Sequence, residues 1–337
     1  MVGIAVAGAG YWGINHVRVF AGAAGAELVA VCDPDPAARA RAAQLAPGAR
    51  LTGEFDELLA GDVDAVVIAT PAPSHASLAL RALEAGKHVL VEKPLAQSVA
   101  QATRVVEEAE ARGLVLLVGH LMLYHPVVER LGELLRSGQL GELYYLYARR
   151  VNLGRLRHEE SALWSFGPHD LSMIDALLGE LPVSVTARGE SYLQPGIADV
   201  VFVTLRFASG AMAHIHLSWL DPRKERRLTL VCSKKMVEFD DVAHEKLRIY
   251  DKGYQRPPAF THFEQYLSLR HGDIHLPHVP MHEPLAAEAD DFIARIKGQK
   301  SGDGAARAAL RVVQILESAQ SSLERDGAPV PVAPRSR

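Results

Sequence analysis

The stretch Val2–Ala7, VGIAVA, runs directly into Gly8-Ala9-Gly10-Tyr11-Trp12-Gly13. A continuous run of small and apolar residues predicts a buried strand, and the G-x-G-x-x-G spacing predicts a tight turn into a helix. The first glycine permits the turn, the second lets backbone approach a pyrophosphate, and the third allows close helix–strand packing. The N–H groups at the start of that helix would bind the anion. We therefore expect a dinucleotide crevice contacted by Gly8, Gly10, Tyr11, Trp12 and Gly13.

An acidic residue follows the second strand-like run. The run of residues 27–32 is followed directly by Asp33, about 20 residues beyond the glycine motif. A carboxylate here accepts hydrogen bonds from the adenosine ribose and repels the 2′-phosphate of NADP. The following Pro34-Asp35-Pro36 offers no compensating arginine. The sequence therefore favours NAD over NADP as cofactor.

Apolar runs and helical patterns alternate through the N-terminal part of the chain. Further strands are expected at residues 65–69, 88–91 and 114–119, with helices at 35–45, 74–85 and 98–112. Continuous Val/Ile/Leu strands separated by helices predict a parallel sheet covered on both faces. Right-handed crossovers make it doubly wound. We expect an α/β fold that begins with an NAD-binding Rossmann domain over residues 1–122.

After residue 122 strands follow one another with few helices between them. The expected strands are 143–151, 183–190, 199–207, 211–219, 227–232, 236–239 and 246–250, and the expected helices are 126–137, 168–178, 283–296 and 305–325. This order predicts an α+β domain with a large, mostly antiparallel sheet. We expect residues 123–330 to serve substrate binding and oligomerisation, and residues 331–337 to be a disordered tail.

The histidine-rich stretch of residues 262–282 is expected to be a long loop that borders the substrate pocket. No cysteine or acidic ligand pattern accompanies its histidines, so we expect no metal site.

Composition excludes several partners. The 337 residues carry 36 basic and 40 acidic side chains, for a net charge of −4, which favours neither nucleic acid nor an anionic membrane. The sequence has no run of about 20 apolar residues and no signal-peptide pattern at its start, so a cytoplasmic location is expected. Cys32 and Cys232 lie in apolar runs, as expected of buried, reduced thiols.

Polar residues follow two of the expected strands. Thr70 and Pro71 come after residues 65–69, and Glu92-Lys93-Pro94 come after residues 88–91. Ligands bind at the carboxyl ends of strands in open α/β sheets, so cofactor contacts are expected at Thr70, Pro71, His75, Glu92 and Lys93. Lys93 could hydrogen-bond the reacting oxygen, and a positive nicotinamide would favour its neutral form. An isolated lysine at a turn is more often a solvated surface residue.

These motifs, taken with Phe166-Gly167-Pro168-His169-Asp170-Leu171, resemble the Gfo/Idh/MocA family of glucose–fructose oxidoreductases and inositol dehydrogenases. The resemblance covers nearly the whole chain, including the closing segment that starts at Glu283. It implies an NAD-dependent dehydrogenase that acts on CH–OH groups of sugars, cyclitols or nucleotide sugars. It also implies that Lys93 and His169 are the two catalytic residues.

The residues around His169 suggest how it would act. Pro168 suits the first position of a helix, which would place His169 in the first turn, where the helix dipole disfavours imidazolium. The family commonly has an aspartate four residues before this histidine, and here the residue is Ser165. Serine can orient the ring but cannot stabilise imidazolium by charge. Either His169 works alone with Lys93, or the proton takes another path.

The substrate prediction comes from a narrower likeness. LWSFGPHD at residues 163–170, with GIADV at 196–200, is similar to members that oxidise the 3-hydroxyl of a UDP-linked N-acetyl sugar. The arginines among the expected contacts suit a diphosphate. The expected substrate contacts are Tyr124, Asn152, Arg155, Arg157, Ser165 and His169.

Two alternatives remain for the function. One is dehydrogenation of a free cyclitol or monosaccharide. The other, of a different class, is a non-catalytic sensor that binds dinucleotide and sugar. A homodimer or homotetramer is expected, because alternate residues on both faces of the 199–207 strand are apolar.

Overall fold

A computed structural model describes residues 1–59, 61–154, 160–255, 268–300 and 304–332. The chain forms two compact units. The first comprises Met1–Tyr124 with His282–Glu317, and the second comprises His125–Met281 with Ser318–Arg337. The linear boundaries at residues 1–122 and 123–330 do not include this return of the chain to the first unit.

Eight α-helices occur in the described residues. They are α1 (Gly13–Ala21), α2 (Pro36–Leu45), α3 (His75–Glu84), α4 (Val99–Arg112), α5 (Pro126–Arg136), α6 (Ala162–Leu178), α7 (Pro284–Ile296) and α8 (Ala305–Leu323). Asp35 and Ser98 cap α2 and α4 by accepting backbone N–H groups of the first turn. These local signals explain why both helices begin where the sequence predicts.

The sheet of the first unit has six parallel strands in the order β3-β2-β1-β4-β5-β6. They are β1 (Val2–Ala7), β2 (Ala26–Cys32), β3 (Arg50–Thr52), β4 (Ala65–Ile68), β5 (His88–Val91) and β6 (Leu116–Val118). One face packs against α3, α4 and α8, and the other against α1, α2 and α7. The predicted Rossmann sheet is confirmed. The sequence missed β3, a three-residue edge strand too short and too polar for a hydrophobic pattern.

The second unit has a nine-stranded sheet in the order β14-β13-β12-β11-β7-β10-β9-β8-β15. Its strands are β7 (Leu143–Leu153), β8 (Ser184–Glu190), β9 (Val200–Arg206), β10 (Met212–Ser218), β11 (Leu220–Cys232), β12 (Met236–Asp240), β13 (Leu247–Gln255), β14 (Ser268–His275) and β15 (Val330–Pro331). The pairing is antiparallel except between β7 and β10. The predicted large, mostly antiparallel sheet is confirmed. Helix α6 packs on its central strands β7, β9 and β10.

Two predictions about irregular segments were wrong. Part of the expected 262–282 loop is the edge strand β14, paired with β13, although its residues are mostly exposed. Alternation of apolar side chains is weak in such a strand, so backbone pairing decides its structure. The tail expected to be disordered at residues 331–337 begins with an ordered residue, because Pro331 pairs with Ser184 of β8 as part of β15. Residues 262–267 and 333–337 lie outside the described part of the chain.

Candidate functional site

The three motif glycines meet different surroundings. Gly8 has φ +90°, and a Cβ there would lie 2.6 Å from the Ala69 carbonyl oxygen. A Cβ on Gly13 would lie 1.9 Å from the Gly8 carbonyl oxygen. A Cβ on Gly10 would meet nothing within 4 Å. The first and third glycines are therefore required by the protein's own packing, whereas the second faces open space.

That open space is a surface depression of about 620 Å³ at the start of α1. It is lined by Gly10, Tyr11, Trp12, Ile14, Asn15 and Arg41. Tyr11 is 87% exposed, and Trp12 is 38% exposed. A bare backbone position beside the N-terminus of a helix fits the approach of a pyrophosphate.

Asp33 holds the glycine turn against the end of β2. Its Oδ2 accepts the Ala9 backbone N–H at 2.7 Å, and its Oδ1 accepts the Asp35 N–H at 2.9 Å. The sequence reasoning missed Arg39, whose Nη1 donates to the Asp33 and Pro34 carbonyl oxygens at 2.6 and 3.1 Å. Arg39 is one turn into α2, so a helical-wheel reading from Asp35 could have found it.

The loop after β4 is joined to the loop after β5. His75 is buried, and its two ring nitrogens face the Thr70 and Pro94 carbonyl oxygens, each at 2.8 Å. The Thr70 hydroxyl bonds the Ser74 hydroxyl at 2.7 Å. The His75 ring therefore lies between the segments around Pro71 and Lys93 and contacts both.

Glu92 is the centre of a polar cluster at the carboxyl end of β5. Its Oε1 accepts Trp12 Nε1–H at 2.5 Å and lies 2.8 Å from His16 Nε2, and its Oε2 accepts the Lys93 N–H at 3.1 Å. Burial opposes ionisation of Glu92, but the His16 contact and the charge of Lys93 hold its pKa below the usual value. A Cβ on Gly119 would come within 3.0 Å of the Glu92 carboxyl atoms. Glycine at the end of β6 thus leaves room for this carboxylate.

Lys93 is half-buried beside this carboxylate. Its charge also acts on His120, which follows β6. Burial, helped by Lys93 and opposed by Glu92, lowers the pKa of His120 to about 4, so this imidazole is neutral near neutral pH. The strand ends of β5 and β6 thus place an ionised carboxylate, a lysine and a neutral imidazole in one region.

Helix α7 adds two carboxyl groups that the sequence reasoning did not single out. The Tyr124 hydroxyl donates to Asp291 Oδ2 at 2.7 Å, so this expected substrate contact is bonded within the first unit. Burial, together with Asp291, raises the pKa of Tyr124 above its usual value. Glu288 is 1% exposed, three residues after Leu285 and four before Phe292 on the apolar face. A glutamate in the middle of that face was the signal in the sequence.

In the second unit His169 lies deep within α6. The helix begins at Ala162, whose N–H bonds the Ala198 carbonyl oxygen, and Pro168 is inside it. The prediction that Pro168 opens the helix and that His169 lies in its first turn was wrong, and the helix-dipole argument for a neutral His169 falls with it. Ser165 is buried one turn earlier on the same side of the helix as half-buried His169.

The residue after His169 forms a buried ion pair. Arg150 Nε and Nη2 donate to the two Asp170 carboxylate oxygens at 2.8 and 3.1 Å. Their side chains are 7% and 2% exposed. The pair joins α6 to β7 and so fixes the helix turn that carries His169. Arg150 was missed, although it continues the buried alternation of Leu146 and Ala148.

The remaining expected substrate residues are only partly described. Asn152 is half-buried near the end of β7. Arg155 and Arg157 lie outside the described residues.

The described residues contain neither a membrane-spanning helix nor a cluster of metal-binding side chains. Within residues 1–59, 61–154, 160–255, 268–300 and 304–332, no helix has the length and apolarity to cross a membrane. The same part of the chain has no group of three or more His, Cys, Asp or Glu side chains that could hold a metal ion.

Comparison with known proteins gives a family and several relatives. A family model for oxidoreductases with an NAD-binding Rossmann fold, GFO_IDH_MocA, matches residues 2–120, and the GFO/IDH/MocA C-terminal domain model matches residues 128–238. The UDP-N-acetylglucosamine 3-dehydrogenase of Acidithiobacillus ferrooxidans is 28% identical over 95% of this chain and 98% of its own length.

Two further matches are informative. The inositol 2-dehydrogenase of Corynebacterium glutamicum (strain R) is 30% identical, over 64% of this chain and 66% of that protein, just under two thirds of its length. The crystal structure of GenD2 from gentamicin A biosynthesis in complex with NAD has a TM-score of 0.83 to this chain. That match has 26% identity and covers 99% of this chain and 97% of the other.

Proposed function

The chain belongs to the Gfo/Idh/MocA oxidoreductase family, and on this premise we propose that it transfers hydride between a nicotinamide cofactor and a hydroxyl or ketone of a sugar-like substrate. The observation that carries the proposal lies within the first unit. There the glycine turn Gly8–Gly13, which has open space at Gly10, and the half-buried Lys93 both lie at carboxyl ends of strands in one parallel sheet. Ligands of doubly wound sheets bind at these ends.

The chain's own residues would divide the work as follows. Bound NAD would supply the hydride acceptor. Gly10 and the start of α1 would hold the pyrophosphate, and Asp33 the adenosine ribose. Lys93 would hydrogen-bond the reacting oxygen and exchange its proton, with His169 as the second proton-transfer group. Ser165, one turn before His169, could orient the imidazole but could not stabilise imidazolium by charge.

NAD is the proposed cofactor over NADP. The Asp33 carboxylate would repel a 2′-phosphate, and Arg39 is already engaged by two backbone carbonyl oxygens. Dissociation constants for NADH and NADPH, measured by quenching of protein fluorescence, test this. NADH should bind more tightly, and Asp33→Asn should narrow the difference. Equal affinities in the unmodified chain would contradict the choice of cofactor.

The proposed substrate is a UDP-linked N-acetyl sugar, oxidised at its 3-hydroxyl. The support is the Acidithiobacillus relative, which aligns over 95% of this chain and 98% of its own length. A free cyclitol is the second candidate, supported by the 30% identity to an inositol 2-dehydrogenase over a shorter region.

The deciding experiment follows the near-ultraviolet absorbance of reduced nicotinamide with NAD and either UDP-N-acetylglucosamine or myo-inositol. Signal with the nucleotide sugar alone supports the first substrate, and signal with the cyclitol alone supports the second. If neither gives signal, the assay is repeated with 2-oxoglutarate, which would reoxidise a cofactor that stays bound. Cofactor binding with no turnover under any of these conditions would favour a non-catalytic sensor and contradict the proposal.

We also propose that two copies pair through the open face of the nine-stranded sheet. Opposite the face that packs on α6, this sheet exposes Tyr145, Tyr147, Phe202 and Met212, each between 37% and 43%. His214 and His216 stack with Phe202 on the same face. Light scattering should give a dimer or tetramer mass, and Phe202→Glu should shift it toward the monomer. A monomer mass for the unmodified chain would contradict the pairing.

A further inference from the structure

Glu288 is a buried carboxyl group with no hydrogen-bond partner in the described part of the chain. It is 1% exposed, and neither Oε1 nor Oε2 is bonded. Its neighbours on the same face of α7, Leu285, Ala289 and Phe292, belong to the apolar core of the first unit. An ionised carboxylate is very costly in such a place, so a group left there without a partner is normally neutral.

The groups around Glu288 come from three other elements. Glu92 acts on it from the end of β5, and Asp291 acts from its own helix. Tyr124, in the turn after β6, is hydrogen-bonded to Asp291, and the charge of an ionised Glu288 would also raise the Tyr124 pKa. From α1, which packs on α7, His16 reaches the cluster through its contact with Glu92. Arg18, also on α1, pairs with Glu283 at the exposed start of α7.

The positive charges of the region already have carboxylate partners other than Glu288. Asp291 is paired with Arg295 and Lys300 at 2.8 and 2.7 Å. Lys93 helps to keep Glu92 ionised. Burial first, and then the charges of Glu92 and Asp291, raise the pKa of Glu288 well above its usual value. Loss of the Glu288 proton would leave a second carboxylate close to Glu92. A cation bound at the strand ends would therefore favour that loss.

We propose that Glu288 is a proton-holding group of the dinucleotide site: it keeps its proton when the bound nicotinamide is neutral and releases it to solvent when the oxidised, positively charged ring is bound. The exchange involves only a proton and forms no covalent bond. Glu288 acts through the charge of the Glu92–Lys93 region and is a positioning residue. The inference rests on the proposed function, because it requires that this site bind both forms of the cofactor.

The consequence is a pH dependence that differs between the two cofactor forms. Binding of NAD⁺ is coupled to loss of the Glu288 proton. The dissociation constant of NAD⁺ should therefore fall by up to about tenfold for each unit by which the pH rises, as long as Glu288 is protonated in the cofactor-free protein. Binding of NADH carries no such coupling through Glu288. A residue that merely filled space would leave the two pH profiles parallel.

The test is isothermal titration calorimetry of the full chain with NAD⁺ and with NADH. Each titration is run in two buffers of different ionisation enthalpy, at a series of pH values above the ordinary carboxyl range. The difference between buffers gives the protons released. Four proteins are compared: wild type, Glu288→Gln, Lys93→Met, and Asp290→Asn, which removes an exposed carboxyl from the same helix. Lys93→Met accounts for any proton that the lysine itself loses when NAD⁺ binds.

Wild type, Asp290→Asn and Lys93→Met should all release a fraction of a proton on binding NAD⁺ that Glu288→Gln does not release. Equal release from wild type and Glu288→Gln would overturn the inference. If Glu288→Gln and the apolar Glu288→Met both fail to fold, the Lys93→Met protein provides the test. Absence of proton release when that variant binds NAD⁺ would also overturn the inference. No binding of either cofactor form would overturn the proposed function as well, whereas binding without Glu288-dependent release overturns this inference alone.

Discussion

The two units place their candidate groups by different means. In the first unit Lys93 follows a strand directly, and the backbone of a parallel sheet carries it to the ligand-binding edge. In the second unit His169 lies in the interior of a helix, and a buried ion pair between Arg150 and Asp170 fixes that helix against the sheet. A group at a strand end can be located from local sequence, whereas a group on a helix depends on the helix's distant partners.

The carboxyl groups repeat this contrast on a smaller scale. Buried Asp170 and half-buried Glu92 accept hydrogen bonds from other side chains. Glu288 is as deeply buried as Asp170 and has no hydrogen bond among the described residues. Partners therefore decide whether a buried carboxyl is an anchor or a titrating group. Four experiments test these comparisons.

The largest effect is expected in the first unit, from Lys93→Met. Loss of a proton-transfer group should lower turnover by about 10²–10⁴-fold. Cofactor affinity should change little, because the glycine turn Gly8–Gly13 and Asp33 are intact. Steady-state rates and NADH titrations on the same preparation measure both quantities. Lys224→Met, at an exposed lysine of β11, is the control. Unchanged turnover in a folded Lys93→Met protein would remove Lys93 from the mechanism.

In the second unit Arg150→Met should destabilise the fold by about 3–5 kcal/mol, because it leaves the Asp170 charge buried and unpaired. Adding Asp170→Asn removes that charge and should recover part of the loss. The exposed pair of Arg130 and Glu133 provides a control, since Arg130→Met should cost about 1 kcal/mol or less. Denaturant unfolding followed by tryptophan fluorescence measures all three. A loss no larger than that of the control would mean that the buried pair does not anchor α6.

The glycine turn separates packing from ligand binding. Gly13→Ala should cost about 1–3 kcal/mol, because its Cβ meets the Gly8 carbonyl oxygen at 1.9 Å and backbone must shift. Gly10→Ala should leave stability nearly unchanged and weaken NADH binding, because its methyl group would occupy the space left for the cofactor. Thermal unfolding and NADH titration of both variants give the comparison. Tight NADH binding by Gly10→Ala would argue against the proposed pyrophosphate position.

The smallest effect, taken per unit of pH, is a pH dependence of stability without cofactor. The folded pKa of Glu288 lies above the ordinary 4.5, so its contribution to stability is present below pH 4.5 and is lost as the pH rises through the folded value. Over that interval wild type should lose stability relative to Glu288→Gln by up to about 1.4 kcal/mol per pH unit. Urea unfolding of both proteins across the interval measures the difference. Parallel curves would show that Glu288 does not titrate in the folded chain.

The sequence predicted the first unit more fully than the second. The glycine motif and Asp33 lie in neighbouring loops, as the sequence predicts. Strands β1 and β5 have the expected bounds. For α6 the local rule that places proline at the first helical position failed, because a helix tolerates proline further in where tertiary packing holds it. The return of α7 to the first unit has no local signal, so Glu288 could not be placed beside Glu92 in advance.

The sequence by itself determined the order of strands and helices apart from the edge strands β3, β14 and β15, and it determined the Rossmann fold, the family and the strand-end position of Lys93. Hydrophobic periodicity, turn residues and motif spacing act between near neighbours and can be read along the chain. Only the tertiary structure decided which charged groups meet, as with Arg150 and Asp170, and which carboxyl is left without a partner. Those outcomes depend on residues far apart in the chain, where burial and Coulomb interactions set the charge of each group.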